Sequence, residues 1–138
     1  MGEFRVFSAS KSFSTRGSLE FVDLSSWVKE IVAESGVREG LVHVFAPHAT
    51  GVLLLTEDEP GLFADVKAFF ERLVPRDLDY EHPSNAFAHL RSILFPPDRT
   101  LPIIDGRVGF GTWQSLFFVE TDVSPRRRIV IFQVLGQT

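Results

Sequence analysis

Histidine and amide side chains gather in the stretch from Tyr80 to Gln114. Two of the four histidines, His82 and His89, lie there with Asn85 between them, and so does Trp113, one of two tryptophans. Imidazoles exchange protons near neutral pH or bind divalent ions, and an amide can hydrogen-bond to either kind of site. The stretch therefore predicts a site for a small molecule.

A third histidine, His48, follows a proline at the tip of a predicted turn between two strands. On one continuous helix His82 and His89 would lie about 10 Å apart, too far to share one ion. Pro83 favours a first helical turn, so His82 falls on the preceding loop, which can fold back toward His89. With His48 they can form a three-histidine site for a divalent metal, zinc or magnesium. No local HxxxH or HxH pairing supports it.

Other candidate groups lie on the predicted strand at 107–121, after Gly109 and Gly111. Thr112 and Gln114 fall on one strand face, where they can line a cleft, and Trp113 falls on the other, as core or ligand contact. Glu120 and Asp122 share one face, either an exposed edge or an inward face from which they orient the histidines or act as acid and base. His43 alternates with valines, so we interpret it as a core or interface residue.

Composition limits the scaffold that positions these groups. A chain of 138 residues with 44% hydrophobic residues forms a single domain with its own core, and with no cysteine it forms no disulfide and no thiolate site. The net charge of −4 argues against a nucleic-acid partner. The three arginines at 126–128 can be solvent-exposed residues at the start of a strand, a solvated strand entrance, or a phosphate-binding patch, and we favour the first. No membrane-length apolar run is present, so we expect a cytoplasmic protein without membrane contact.

Hydrophobic periodicity predicts an α+β fold of about seven mostly antiparallel strands with two main helices and a short third one. The helices are predicted at 24–35, 62–74 and 84–94. The strands are predicted at 4–7, 18–22, 41–45, 51–55, 100–104, 107–121 and 128–135. The first two strands are expected to form a hairpin, and Asp105-Gly106 is a strong signal for another. The run at 51–55 is apolar throughout, which indicates burial on both faces.

The motifs in this order resemble those of the YjbQ-like family, which is associated with a secondary thiamine-phosphate synthase activity. They are Pro47-His48-Ala49-Thr50-Gly51, Thr56-Glu57, Tyr80-Glu81-His82, Asn85-Ala86-Phe87-Ala88-His89-Leu90, Asp105-Gly106, Gly111-Thr112-Trp113-Gln114 and Glu120-Thr121-Asp122. The resemblance runs from about residue 3 to residue 136. Two departures concern the pocket: Ala49 stands where the family usually has threonine, and the acidic turn reaches Pro60 one residue early.

The resemblance implies a seven-stranded β-sandwich with helices packed on it, and a homotrimer. It also implies a pocket shared among nine residues: His48, Thr50, Glu57, His82, Asn85, His89, Thr112, Gln114 and Glu120. From it we expect catalytic roles for His48, Glu57, His89 and Glu120. Substrate contacts are expected from Thr50, Asn85, Thr112, Trp113 and Gln114, and metal binding from His48, His82 and His89.

The implied reaction is a weak transfer that joins a pyrimidine methyl diphosphate to a thiazole phosphate. It needs charge stabilisation for the departing diphosphate, and a surface for an aromatic cation, which Trp113 or Phe87 can provide by stacking. The chain has no glycine-rich phosphate loop. Two alternatives stay open. One is a metal-dependent hydrolase with a three-histidine ion and Glu57 or Glu120 as base. The other is a non-catalytic ligand-binding or assembly trimer.

Overall fold

The computed structural model of the chain describes residues 2–138. The elements in chain order are β1 (Phe4–Thr15), β2 (Phe21–Asp23), α1 (Ser25–Ser35), β3 (Glu39–Phe45), β4 (Gly51–Thr56), α2 (Pro60–Leu73), α3 (Ala86–Ile93), β5 (Asp98–Ile104), β6 (Arg107–Val108), β7 (Ser115–Glu120) and β8 (Arg126–Gln137). The predicted α+β class and antiparallel pairing are confirmed, with eight strands and three helices within the described residues.

Two antiparallel sheets form a sandwich. The larger has the strand order β1-β8-β3-β5-β6, and the smaller has the order β2-β7-β4. Side chains from both sheets and from α1 make one buried core, in which Val44, Phe118 and Phe132 have no exposed surface. Because apolar burial drives folding, this core fixes the two sheets relative to each other.

Strand β4 is buried on both faces, as its uninterrupted apolar run predicts. Leu53 faces the core between the sheets, whereas Val52 and Leu54 face a second cluster that includes Phe70 of α2. The smaller sheet is therefore covered by the larger sheet on one face and by α2 on the other. No helix within residues 2–138 is long and apolar enough to cross a membrane.

The outer edge of β4 is closed by the chain that follows α3. The backbone N–H of Leu53 donates to the Pro96 carbonyl at 3.2 Å, and Nε of Arg99 donates to the Leu53 carbonyl at 3.1 Å. At the start of the strand, the Ser92 hydroxyl donates to the Gly51 carbonyl at 2.9 Å. These bonds attach α3 and its C-terminal extension directly to β4.

The predicted hairpin at the start of the chain is wrong. β1 extends to Thr15 and pairs with β8 along its whole length, whereas β2 pairs with β7 in the other sheet. Residues 8–15, which the predicted hairpin treats as part of its connection, belong to a strand, because Ala9 and Phe13 alternate toward the core while the serines between them face outward.

The predicted strand over 107–121 is also wrong in its middle. It is divided into β6 and β7 by a turn in which the Gln114 backbone N–H donates to the Gly111 carbonyl at 3.0 Å. The hairpin turn before it is confirmed. Asp105 and Gly106 have φ values of 52° and 78°, the left-handed pair that a type I′ turn requires.

The helix ends follow from local hydrogen bonding. Asp23 accepts from the Ser25 backbone N–H at 2.9 Å at the start of α1, and Gly36, at a φ of 74°, ends that helix in the left-handed conformation. Glu59 caps α2 by accepting from two backbone N–H groups of the first turn. α3 begins at Ala86, so His82 lies on the loop before the helix and His89 lies within it.

Candidate functional site

His82 and His89 lie against each other at the N-terminal end of α3. Their ring centroids are 4.8 Å apart and the ring planes are inclined by 67°. His89 lies on the first turn of α3, whereas His82 lies on the preceding loop, which folds back over the helix. Within residues 2–138 the ring nitrogens of His89 make no hydrogen bond, so they remain available to a ligand.

A hydrogen-bonded chain orients His82 from the end of β7. Asn85 donates through Nδ2 to Oδ2 of Asp122 at 3.2 Å, and its Oδ1 lies 3.2 Å from Nε2 of His82. An ionised carboxylate only accepts hydrogen bonds, so the Asn85 amide must present its oxygen to the imidazole. His82 therefore carries its proton on Nε2, and Nδ1 is left as the acceptor.

Asp122 is held ionised by its neighbours. Burial alone would raise the pKa of this carboxyl, but it accepts from the Val123 backbone N–H, from Asn85 and from Arg126, whose charge adds to the effect. Together these contacts lower the pKa of Asp122 below its usual range. The alternative of an exposed acidic edge is wrong for Asp122, which is 2% exposed, and for Glu120, which is fully buried.

Glu120 belongs to a buried ion pair beneath the site. Arg128 donates through Nε to Oε1 of Glu120 at 2.7 Å, and its Nη2 contacts the second carboxylate oxygen. The Thr15 hydroxyl donates to the same carboxylate at 2.6 Å, and Thr50 accepts from Nη2 of Arg128 at 2.8 Å through its own hydroxyl. The predicted solvated strand entrance is therefore wrong for Arg128, although β8 does begin at Arg126.

His48 lies on the turn that carries the chain from β3 in one sheet to β4 in the other. Its Nε2 is 3.0 Å from both the backbone N and the carbonyl O of Ile129, so it accepts from the first in one tautomer and donates to the second in the other. Burial lowers the pKa of His48. The Arg128 charge adds to that effect, while the Ile129 hydrogen bond and Glu120 oppose it. Nδ1 carries no hydrogen bond within residues 2–138.

Two adjoining cavities share His89. One, of about 380 Å³, is lined by Tyr80, Glu81, His82, Ala86, His89 and Leu90. The other, of about 440 Å³, is lined by His48, Ala49, His89, Ser92, Ile93, Leu94, Phe95, Pro96 and Pro97. His89 thus borders both cavities, whereas His82 lines only the first and His48 only the second. Sequence reasoning did not assign Tyr80 a role, although it opens the motif that carries His82.

The remaining predicted site residues lie at the other end of the smaller sheet. In the antiparallel register Gly51 pairs with Glu120, whereas Thr56 pairs with Ser115. Five residues along a strand span about 17 Å. Glu57 and the turn at 112–114 follow that second end, and Trp113 there is 73% exposed. One chain therefore does not bring Glu57 or the 112–114 turn to the histidines in a single pocket.

Phe87 does not face the histidine cavities either. It is 2% exposed, and its ring lies 5.5 Å from the guanidinium carbon of Arg76 and 5.1 Å from that of Arg91. His43, interpreted as a core or interface residue, lies on the outer face of the larger sheet and contacts Asp98 at 2.9 Å. Neither residue takes part in the histidine cluster.

A three-histidine metal site is not assembled within the described part of the chain. No three histidine, aspartate or glutamate side chains among residues 2–138 lie close enough to hold one ion. His82 and His89 can supply two imidazoles, but His48 borders the second cavity and uses Nε2 on Ile129. Binding of zinc or magnesium stays a prediction.

Comparison with known proteins shows the family to which the chain belongs. Residues 9–137 match the model of the family described as UPF0047 protein YjbQ-like. The chain belongs to the YjbQ-like family. A UPF0047 protein of Archaeoglobus fulgidus is 38% identical, over 90% of this chain and 98% of that protein. Another, from Methanothermobacter thermautotrophicus, is 36% identical over 96% and 94%.

Solved structures of YjbQ-like proteins have the same fold. A YbjQ-like protein of unknown function from Sulfolobus solfataricus superposes with a TM-score of 0.93 at 29% identity, covering 97% of this chain and 99% of that one. A YjbQ/UPF0047 protein from Clostridium acetobutylicum superposes with a TM-score of 0.87 at 32% identity, covering 91% and 98%. The two-sheet architecture is therefore a property of the family.

Proposed function

We propose that this YjbQ-like protein is a small-molecule enzyme whose acid-base groups are the paired imidazoles of His82 and His89. The observation that carries the proposal is the contact of the two rings at the edge of a cavity, with His82 held in one tautomer by Asn85. A histidine that only packs in a core does not need an oriented amide and a buried carboxylate behind it. Such support is typical of imidazoles that exchange protons.

The reaction to which we assign the site is the transfer implied by the family resemblance. The ring nitrogen of a thiazole phosphate attacks the exocyclic methylene of a pyrimidine methyl diphosphate, a carbon–nitrogen bond forms, and diphosphate leaves with the electrons of the carbon–oxygen bond. A protonated imidazole of His82 or His89 can stabilise the departing diphosphate. Tyr80 lines the same cavity, and we assign to its ring the stacking on the pyrimidine or the thiazolium.

The assay is the formation of thiamine phosphate from both substrates, with Mg²⁺ present to accompany the diphosphate. We expect turnover by the unmodified protein and a loss of about 100-fold in kcat/KM for His82→Ala and for His89→Ala. Glu30→Ala is the control, because Glu30 is exposed on α1 and lines neither histidine cavity. No product above the reaction without protein, or an unchanged rate in both site variants, would overturn the proposal.

The proposal includes a homotrimer, as the resemblance implies. Alternate residues of the larger sheet leave an apolar outer face uncovered, formed by Val6, Leu41, Phe45, Ile104 and Ile131. Exposed apolar area of this kind is what subunit interfaces bury. Assembly also provides a means to bring the exposed Trp113 turn of a neighbouring chain toward the histidines.

Light scattering on the eluting protein tests the assembly. We expect the mass of three chains for the unmodified protein and of one chain for Ile131→Asp, because an unpaired charge cannot be buried in an apolar interface without a large cost. Leu78→Asp is the control, since Leu78 is exposed on the loop after α2. A monomeric unmodified protein would contradict the trimer and leave the assay of His82 and His89 to decide the reaction.

A further inference from the structure

Arg91 is a buried cation that forms no salt bridge within residues 2–138, although the charge of nearby Glu71 acts on it. It is 2% exposed, and its Nε donates to the Val74 carbonyl at 3.0 Å. No carboxylate among residues 2–138 lies within 4.0 Å of its guanidinium, and neither η nitrogen donates a hydrogen bond there. Burying an unpaired charge is costly, so such a group calls for a partner.

The η nitrogens of Arg91 open into a cleft on the opposite side of α3 from the histidines. Residues two apart on a helix point in nearly opposite directions, which separates Arg91 from His89. Every side-chain nitrogen or oxygen that is sealed from solvent within residues 2–138 has a hydrogen-bond partner. The unpartnered η nitrogens must therefore reach the cleft surface, which has a volume of about 370 Å³ and is lined by Ser18, Glu71, Pro75, Arg76, Asp77 and Arg91.

A second guanidinium faces the same cleft. Arg76 and Arg91 both lie over the ring of Phe87, with guanidinium carbons 5.5 Å and 5.1 Å from its centroid. Arg76 makes no ion pair either, within the described residues. Like charges repel, so two arginines that line one cleft are stabilised when an anion binds there.

We propose that this cleft binds a small oxyanion group, a phosphate or a carboxylate, between Arg76 and Arg91. The free η edge of a guanidinium matches the two oxygens of such a group. Ser18 borders the cleft and can add a hydroxyl donor. Glu71 and Asp77 border it too, and their charge opposes a polyphosphate, so the site favours a ligand with one or two negative charges.

The oxyanion site is separate from the histidine cavities but shares a wall with them. Pro75 lines the cleft, and its carbonyl accepts from the Tyr80 hydroxyl at 2.5 Å, while Tyr80 lines the cavity of His82. A ligand in the cleft therefore contacts the segment at 75–80 from the side opposite to the histidines. The cleft and the histidine cavities have no lining residue in common, so variants of the arginines and of the histidines can be assayed independently.

The test is an NMR titration of the arginine Nε–H signals with inorganic phosphate and, separately, with acetate, at constant ionic strength. We expect a saturable shift of the Arg91 signal. Arg76→Ala should weaken binding about tenfold, which corresponds to the loss of one charged hydrogen bond. Arg76 is exposed, so this variant keeps the fold, and Arg72→Ala is the matched control on the outside of α2.

Each outcome decides the proposal. A shift with phosphate alone identifies a phosphate group, a shift with acetate alone identifies a carboxylate, and a shift with both identifies an oxyanion in general. Binding should be unchanged in His89→Ala, which separates this site from the proposed enzymatic one. A linear, unsaturated response to both anions, or equal binding by the unmodified protein and Arg76→Ala, would overturn the proposal.

Discussion

Arg128 and Glu120 join the two sheets of the sandwich across its interior. Glu120 ends β7 of the smaller sheet, Arg128 lies near the start of β8 of the larger one, and both are almost fully buried. Their ion pair is bidentate and is completed by hydroxyls of Thr15 and Thr50. It is the polar end of an otherwise apolar core, directly beneath His48.

Removing one partner of this pair should be costly. Glu120→Ala leaves the Arg128 guanidinium buried and uncompensated, so we expect the free energy of unfolding to fall by about 3–5 kcal/mol. Denaturant unfolding followed by circular dichroism measures it. Arg127→Ala is the control, because Arg127 is exposed and the one hydrogen bond of its side chain within residues 2–138 is to the Ser14 hydroxyl. A loss for Glu120→Ala as small as that of the control would contradict this role.

His48 should make stability depend on pH. Its folded-state pKa lies below the ordinary value of 6.5, which we take for the unfolded chain. Between these two values the unfolded state binds the proton more tightly, so stability falls as pH is lowered through 6.5 and stops falling below the folded-state pKa. We expect a shallower fall in His48→Gln than in the unmodified protein, measured by denaturant unfolding at several pH values. Parallel pH profiles would exclude the effect.

Asn85 should set the tautomer of His82. In the unmodified protein we expect the nitrogen chemical shifts of neutral His82 to report a proton on Nε2. In Asn85→Ala that acceptor is lost, and we expect a mixture of both tautomers. His43 serves as an internal reference in the same spectra, since its contact is with Asp98 instead. The same spectrum of His82 in both proteins would show that Asn85 does not orient it.

Gly51 should be intolerant of any side chain. A Cβ at this position would overlap the ring of Phe118, on which the edge of His48 also packs. We expect Gly51→Ala to lower the free energy of unfolding by about 1–3 kcal/mol through overpacking. In the background of Phe118→Leu, which vacates the space, the same change should cost less, and a double-mutant cycle measures the difference. Strict additivity would mean that the overlap is relieved in another way.

The sequence predicts the helices and the apolar strands well because both are decided by local periodicity. β4 reveals its double burial in four successive apolar residues, and Gly36 marks the end of α1. β1 is misjudged because its outward positions are serines, which are as common in turns as on a solvated strand face. Only the pairing with β8, more than a hundred residues away, decides between them.

The candidate site is predictable only where local sequence determines it. His82 and His89 are close because Pro83 keeps the first of them off the helix, which the local sequence reveals. The link from Asn85 to Asp122 spans 37 residues, and the contact of Arg128 with Thr50 spans 78, so neither leaves a local pattern. The resemblance implies that the 112–114 turn shares a pocket with the histidines, but within one chain the length of β7 separates the two groups.

The hydrogen bonds that close the edge of β4 also bear on solubility. A short apolar segment of high β propensity with a free edge is a template for intermolecular strand pairing and for fibril growth. Pro96 and Arg99 occupy the backbone groups of Leu53 that a second molecule would otherwise use. If the chain after α3 detached while the sheets stayed folded, the edge of β4 would be exposed and the protein would be prone to aggregation. The hydrogen bond from Arg99 to Leu53 opposes this detachment.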